Sequence, residues 1–146
     1  LPMSYPCDNG RCRAKLVRIA PYHLAGAGLD ALGHAYLWTN SHFMLRARGV
    51  YGAIDLGAAS GTNVCFLLAN GELKCWRTLV HSSSAILRDE PDYEVSRVAQ
   101  FSAGGDHVCA VLQSGGVSCW GYNDFGQLGD GTRDDSLLPR PVLGLE

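Results

Sequence analysis

The chain has no long apolar run. None of its segments approaches the roughly 18 consecutive apolar residues that a membrane-spanning helix requires. The most apolar stretch, residues 19–38, is interrupted by Pro21, His23, Asp30 and His34. The sequence therefore predicts no membrane span.

The chain also has no excess of positive charge. It carries 12 Lys and Arg residues against 14 Asp and Glu residues, which gives a formal net charge of −2. Nucleic-acid-binding domains usually present a basic face. The one local basic group, Arg11, Arg13, Lys15 and Arg18, is interpreted as a solvated surface. We therefore expect no nucleic-acid partner.

Recognisable metal and catalytic motifs are missing. There is no Cys-x-x-Cys pair or Cys/His cluster for zinc. Asp30 and His34 can face each other across a hairpin, but no nucleophile accompanies them. The remaining candidates for calcium lack the spacing and closing glutamate of a known loop; they are Asp124, Asp130, Asp134 and Asp135. The sequence predicts a protein that is not an enzyme and that holds no metal and no cofactor.

The sequence does contain three similar copies of one ten-residue segment. The copies are Leu29–Trp38, Leu67–Trp76 and Val111–Trp120, and each has a central glycine and a closing tryptophan. The tryptophans are 38 and 44 residues apart. A period of this size is typical of repeat architectures, in which neighbouring units bury each other's apolar faces.

Two copies predict disulfide-bonded hairpins. With three-residue loops at Ala69–Gly71 and Gln113–Gly115, Cys65 stands opposite Cys75 and Cys109 stands opposite Cys119. Directly opposed residues of antiparallel strands are within disulfide distance. The first copy has lost both cysteines together. Its hairpin would have one apolar face, formed by Ala27, Leu29, Ala35 and Leu37.

Further cysteines and acidic residues lie outside the three ten-residue copies. Cys7 and Cys12 bracket an Asp-Asn-Gly turn and predict a third local disulfide. Disulfides would place the protein in an oxidising compartment, whereas reduced, buried cysteines in a cytosolic protein are the alternative. The acidic residues between the second and third copies are interpreted as a polar loop: Asp89, Glu90, Asp92 and Glu94.

The last 46 residues, 101–146, carry the most specific motif. Trp120-Gly121, Asn123 and the run from Gly126 to Gly131 stand out. They resemble one repeat of the regulator of chromosome condensation family, and the paired cysteines resemble its secreted bacterial forms. The earlier copies are degenerate, since no Gly-Gln-Leu-Gly run follows Trp38 or Trp76. The residues matched to the motif are Trp38, Trp76, His107, Gly115, Trp120, Gly121, Asn123, Gly126, Gln127, Leu128 and Gly129.

The resemblance implies an all-β fold of propeller blades. Family members usually have seven blades, each a small antiparallel sheet, so about three repeats form an incomplete ring. We divide the chain into an N-terminal segment, 1–15, and repeats at 16–53, 54–97 and 98–146. His107 and its counterpart Asn63 are expected to hydrogen-bond between strands. Because the sequence begins at Leu1 without a recognisable signal peptide, we expect a processed chain or a piece of a larger propeller.

The implied function is a non-catalytic, extracellular protein-binding scaffold whose partner is unknown. Tyr122, Phe125 and Arg133 are the predicted partner contacts, because aromatic residues and arginine are enriched at interfaces. Two alternatives remain open. One is an intracellular guanine-nucleotide-exchange regulator of a small GTPase. The other is a structural subunit of an extracellular assembly that self-associates through open blade edges.

Overall fold

The fold is all-β over the part of the chain that the structure describes. This computed structural model describes residues 7–8, 11–12, 15–22, 25–39, 44–59, 63–77 and 91–145. A two-stranded ribbon pairs β1 (Cys7–Asp8) with β2 (Arg11–Cys12). Every other described strand belongs to one of three four-stranded antiparallel sheets.

Each sheet is one blade with strands in chain order from one edge to the other. Blade 1 contains β3 (Leu16–Tyr22), β4 (Ala25–Asp30), β5 (Ala35–Thr39) and β6 (Met44–Arg46). Blade 2 contains β7 (Ala53–Ala59), β8 (Asn63–Leu68), β9 (Leu73–Arg77) and β10 (Tyr93–Val95). Blade 3 contains β11 (Val98–Gly104), β12 (His107–Leu112), β13 (Val117–Gly121) and β14 (Ser136–Pro141). The predicted all-β architecture is therefore confirmed.

The predicted hairpin register is confirmed as well. The Leu68 N–H donates to the Glu72 carbonyl, and the Gly71 N–H donates to the Leu68 carbonyl, which closes a three-residue loop. Three residues further along each strand, the register reaches Cys65 opposite Cys75. This pair is disulfide-bonded with its Cα atoms 4.1 Å apart. The same geometry recurs in blade 3.

In blade 3, Cys109 and Cys119 are opposed and disulfide-bonded, also with 4.1 Å between the Cα atoms. The blade 1 hairpin has the same register without a disulfide, because Ala27 stands opposite Leu37. For the third predicted bond, β1 and β2 place Cys7 opposite Cys12. The side chains of these two cysteines lie outside the described part of the chain.

The blades stack face to face, with β7 next to both β3 and β11. Blade 2 lies between blades 1 and 3. Because successive residues of a strand point to opposite faces, its side chains are buried on both sides. From β8, Val64, Phe66 and Leu68 join the core shared with blade 1. Cys65 and Leu67 join the core shared with blade 3. This two-sided burial explains why all six residues of β8 are buried.

One expectation was wrong. The acidic residues after the second copy do not all lie in a polar loop, because Glu94 belongs to β10 and stands opposite Lys74. The Lys74 ammonium and the Glu94 carboxylate are 3.0 Å apart. Tyr93 and Val95 flank Glu94 and are half-buried, so the strand alternates as an edge strand does. Asp89 and Glu90 lie outside the described residues.

No helix in the described residues is both long enough and apolar enough to cross a membrane.

Candidate partner-binding loops of blade 3

The connection from β13 to β14, residues 122–135, is organised around the Asn123 side chain. This side chain is fully buried. Its Nδ2 donates to the backbone carbonyls of Thr132 and Asp134, at 3.2 and 3.0 Å. Its Oδ1 accepts from the Leu128 N–H at 2.9 Å. One amide therefore satisfies backbone groups on both sides of the loop and holds it in a single shape.

Asp130 stabilises the second half of the same loop through hydrogen bonds. Its Oδ1 accepts hydrogen bonds from the Thr132 hydroxyl at 2.8 Å and from the Thr132 N–H at 2.9 Å. These bonds favour the carboxylate and lower the pKa of Asp130. The Arg140 guanidinium lies 3.8 Å from the other carboxylate oxygen. Leu128, near the middle of the loop, is fully buried.

The residues predicted to contact a partner lie on the outside of this loop. Phe125 is 86% exposed and Tyr122 is 40% exposed. The Tyr122 hydroxyl donates to the Asp124 carboxylate, which raises the pKa of Tyr122. Arg133 is exposed on the same connection. The structure thus brings the three predicted contacts onto one loop.

Two further apolar residues lie beside these contacts. Leu137 and Leu138 follow the loop on edge strand β14 and are 65% and 62% exposed. Ser136 satisfies the backbone of this edge, because its Oγ donates to the Leu138 carbonyl and accepts from the Leu138 N–H. Pro139 follows the two leucines on this edge strand, a position at which a sheet tolerates proline.

Two of the three repeated tryptophans, Trp76 and Trp120, lie between blades and outside the loop site. Trp76 packs edge-to-face against Phe66 in the core between blades 1 and 2. Trp120 packs against Tyr93 in the core between blades 2 and 3, and its indole N–H donates to the Tyr93 hydroxyl. Burial raises the pKa of Tyr93 to about 12. Trp38 is half-buried in blade 1.

The two residues expected to bond between strands behave differently. Asn63 accepts a 3.2 Å hydrogen bond from the Tyr93 hydroxyl across blade 2. His107 is half-buried, and its imidazole has no hydrogen-bond partner among the described residues. The difference arises because the outer strand presents a different residue in each blade. Tyr93 stands opposite Cys75 in blade 2, whereas Arg140 stands opposite Cys119 in blade 3.

Blade 1 contains the acid–imidazole pair that the sequence suggested. The His34 Nδ1 is 2.8 Å from the Asp30 carboxylate, and the Tyr36 hydroxyl donates to the same oxygen at 3.2 Å. The other oxygen accepts the Leu32 and His34 N–H groups. Burial raises the pKa of Asp30, but these hydrogen bonds outweigh it and lower the pKa overall. Asp30 therefore serves as a buried anchor of the hairpin loop.

No group of three or more His, Cys, Asp or Glu side chains is arranged to hold a metal ion within the described ranges.

The described strands form three stacked, four-stranded antiparallel blades that follow one another along the chain, and the third has an ordered outer loop. This architecture defines a repeat protein of the β-propeller class. Two sequence profiles, both described as Regulator of chromosome condensation (RCC1) repeat, match residues 98–127 and 114–146. These matches cover about a third of the chain and confirm the repeat that the sequence motif indicated.

Solved structures extend the likeness of fold to nearly the whole chain. Human WBSCR16 is 19% identical with a TM-score of 0.68, over 88% of this chain and 40% of that chain. Yeast RCC1 (Prp20), solved with Kap60, is 17% identical with a TM-score of 0.65, over 87% of this chain and 35% of that chain. The chain thus spans well under half the length of either structure. A search of curated proteins found no significant match.

Proposed function

We propose that this chain is a non-catalytic, extracellular scaffold module that binds another protein through the outer loop of blade 3. The observation that carries the proposal is the 86% exposure of Phe125 on a loop whose shape is fixed by fully buried Asn123. An exposed aromatic side chain on a loop that is already ordered loses little conformational entropy on binding.

The surface around Phe125 has the composition of a binding patch. Tyr122, Leu137 and Leu138 are exposed near it along the chain, and Arg133 supplies a positive charge. Aromatic residues and arginine dominate the binding energy of protein interfaces. The similarly folded yeast protein is itself bound to a protein, Kap60. A protein partner is therefore favoured over a small-molecule substrate.

The disulfides favour an extracellular or otherwise oxidising location. Cys65–Cys75 and Cys109–Cys119 each cross-link a single hairpin, so they stabilise blades 2 and 3 locally. A cytosolic exchange regulator would keep these thiols reduced. Intact-mass measurement of protein isolated from its native source, with and without reductant, distinguishes the two. Oxidised cysteines are expected, and free thiols throughout would instead support the cytosolic regulator.

The binding surface is tested with paired truncations. Phe125→Ala removes the exposed aromatic ring, and Ile54→Ala truncates a 56% exposed side chain on blade 2 as the control. Each oxidised protein is immobilised, exposed to secreted and cell-surface proteins of the source organism, and analysed by quantitative mass spectrometry. We expect a partner that wild type and Ile54→Ala retain and that Phe125→Ala binds at least tenfold more weakly. A set of bound proteins unchanged by Phe125→Ala would contradict the proposed surface.

A further inference from the structure

The contact between successive blades is built twice in the same way. The glycine that closes the central hairpin loop of one blade offers its carbonyl to the first N–H of the next blade's first strand. Gly33 accepts from Ala53 at 3.1 Å, and Gly71 accepts from Val98 at 2.9 Å. Both glycines have positive φ, 75° and 85°. This turn conformation aims the carbonyl at the next blade.

Blade 3 has the equivalent glycine, but no described blade packs against it. Gly115 closes the equivalent loop with φ 99°. A Cβ placed on Gly33 would lie 2.5 Å from the Ala53 nitrogen, and one on Gly71 would lie 2.6 Å from the Gln113 Nε2. A Cβ placed on Gly115 would meet nothing within 4 Å. The seat that the next blade occupies on blades 1 and 2 is therefore open on blade 3.

The side chains around this seat show the same difference. On blade 2, Leu67 and Leu73 are 4% and 0% exposed because blade 3 covers them. Their register equivalents on blade 3 are Val111 and Val117, which oppose each other across β12 and β13. Val111 is 38% exposed. We call the surface formed by Val111, Val117 and the Cys109–Cys119 bond the open face of blade 3.

In both contacts between described blades, the tryptophan-bearing face of the next blade covers the preceding blade. Blade 2 packs Trp76 toward blade 1, and blade 3 packs Trp120 toward blade 2. Blade 1 has an equivalent tryptophan face that neither of the other two blades covers. Trp38 stands opposite Gly26 there, and Ile19 stands opposite Gly28 with 67% of its surface exposed. We call this surface, formed by Ile19 and Trp38, the tryptophan face of blade 1.

We propose that the open face of blade 3 binds the tryptophan face of blade 1 on a second copy of this chain. The contact is head-to-tail, so it repeats the existing blade-to-blade contact rather than pairing sheet edges. Leu16 begins β3 and occupies the register position of Ala53 and Val98, opposite the last residue of the second strand. The Leu16 N–H of the second copy donates to the Gly115 carbonyl. This association is independent of partner binding at Phe125.

The test is sedimentation of the oxidised, 146-residue chain over a range of concentrations. We expect the mass to rise with concentration for wild type. Val111→Lys places a charge in the open face and is expected to raise the dissociation constant at least tenfold. Leu138→Lys makes the same kind of change at a 62% exposed position on edge strand β14, and it should leave association unaltered. Circular dichroism establishes that both variants keep the wild-type fold.

A second readout locates the contact. The exchange of the Leu16 amide hydrogen is expected to slow as wild type associates and to stay constant with concentration in Val111→Lys. A monomer at every concentration overturns the proposal. Association that survives Val111→Lys but is lost in Leu138→Lys also overturns it, because the copies would then meet through the outer edge strand.

Discussion

At the residue scale, the shape of the blade 3 loop depends on the two hydrogens of one buried amide. Asn123→Asp keeps the oxygen that accepts from Leu128 but removes the donors to the carbonyls of Thr132 and Asp134. It also buries a charge beside the Asp130 carboxylate. We expect the free energy of unfolding to fall by about 2–4 kcal/mol, as measured by chemical denaturation.

The matched control for this substitution is Asn70→Asp in the blade 2 hairpin loop. Asn70 is exposed, and it uses only its side-chain oxygen, which accepts from the Glu72 N–H. The same chemical change therefore leaves that bond intact, and the expected loss is within about 0.5 kcal/mol. Equal losses for the two variants would show that the Asn123 hydrogens contribute nothing specific.

The sequence identified Asn123 and the neighbouring glycines through the repeat motif, but it did not identify the partners of Asn123. The nearest partners of that side chain are backbone groups, the carbonyls of Thr132 and Asp134 and the N–H of Leu128, and nearly every residue type carries such groups. The Asp30 cluster shows the same limit. Register alone predicts that Asp30 and His34 face each other, whereas the contribution of the Tyr36 hydroxyl requires the side chains to be buried together.

At the scale of elements, the central hairpin of each blade was predictable and its outer strands were not. A glycine that closes a three-residue loop fixes the register, and paired cysteines then check it. The outer strands β6 and β10 have three residues each, which is too short for alternation to be visible. Around Tyr93–Val95, the neighbouring acidic residues also made the segment resemble a polar loop.

The hairpin of blade 1 should accept the disulfide that it lacks. Ala27 and Leu37 oppose each other in the same register as Cys65 and Cys75, and both are fully buried. We expect the double variant Ala27→Cys/Leu37→Cys to form a new bond, detected by non-reducing peptide mapping. Ala27→Cys/Ala35→Cys is the control, since its diagonal positions are about 7–8 Å apart and beyond disulfide reach. Crosslinking of the control alone would contradict the register.

At the scale of the whole molecule, stability comes from blades covering each other, as in other repeat proteins. The middle blade is consequently apolar on both faces, while each outer blade has one face that no described blade covers. The sequence showed this asymmetry only in part. The last five residues of β8, Val64 to Leu68, are uniformly apolar, but which of them meets blade 1 and which meets blade 3 depends on how the sheets stack.

Alanine substitution of the three hairpin glycines, Gly33, Gly71 and Gly115, distinguishes the cost of disturbing blade stacking from the cost of straining the turn. Replacing any of them by alanine forces positive φ on a residue with a Cβ, which costs about 1–2 kcal/mol. In Gly115→Ala that strain is the whole effect, because the new methyl group meets open space. In Gly71→Ala the methyl group displaces the end of the Gln113 side chain, and in Gly33→Ala it meets the Ala53 backbone. Since backbone yields less readily than a side chain, the loss of unfolding free energy should increase from Gly115 to Gly71 to Gly33. Chemical denaturation at a dilute, fixed protein concentration measures the series, and three equal losses would mean that the blades do not stack through these turns.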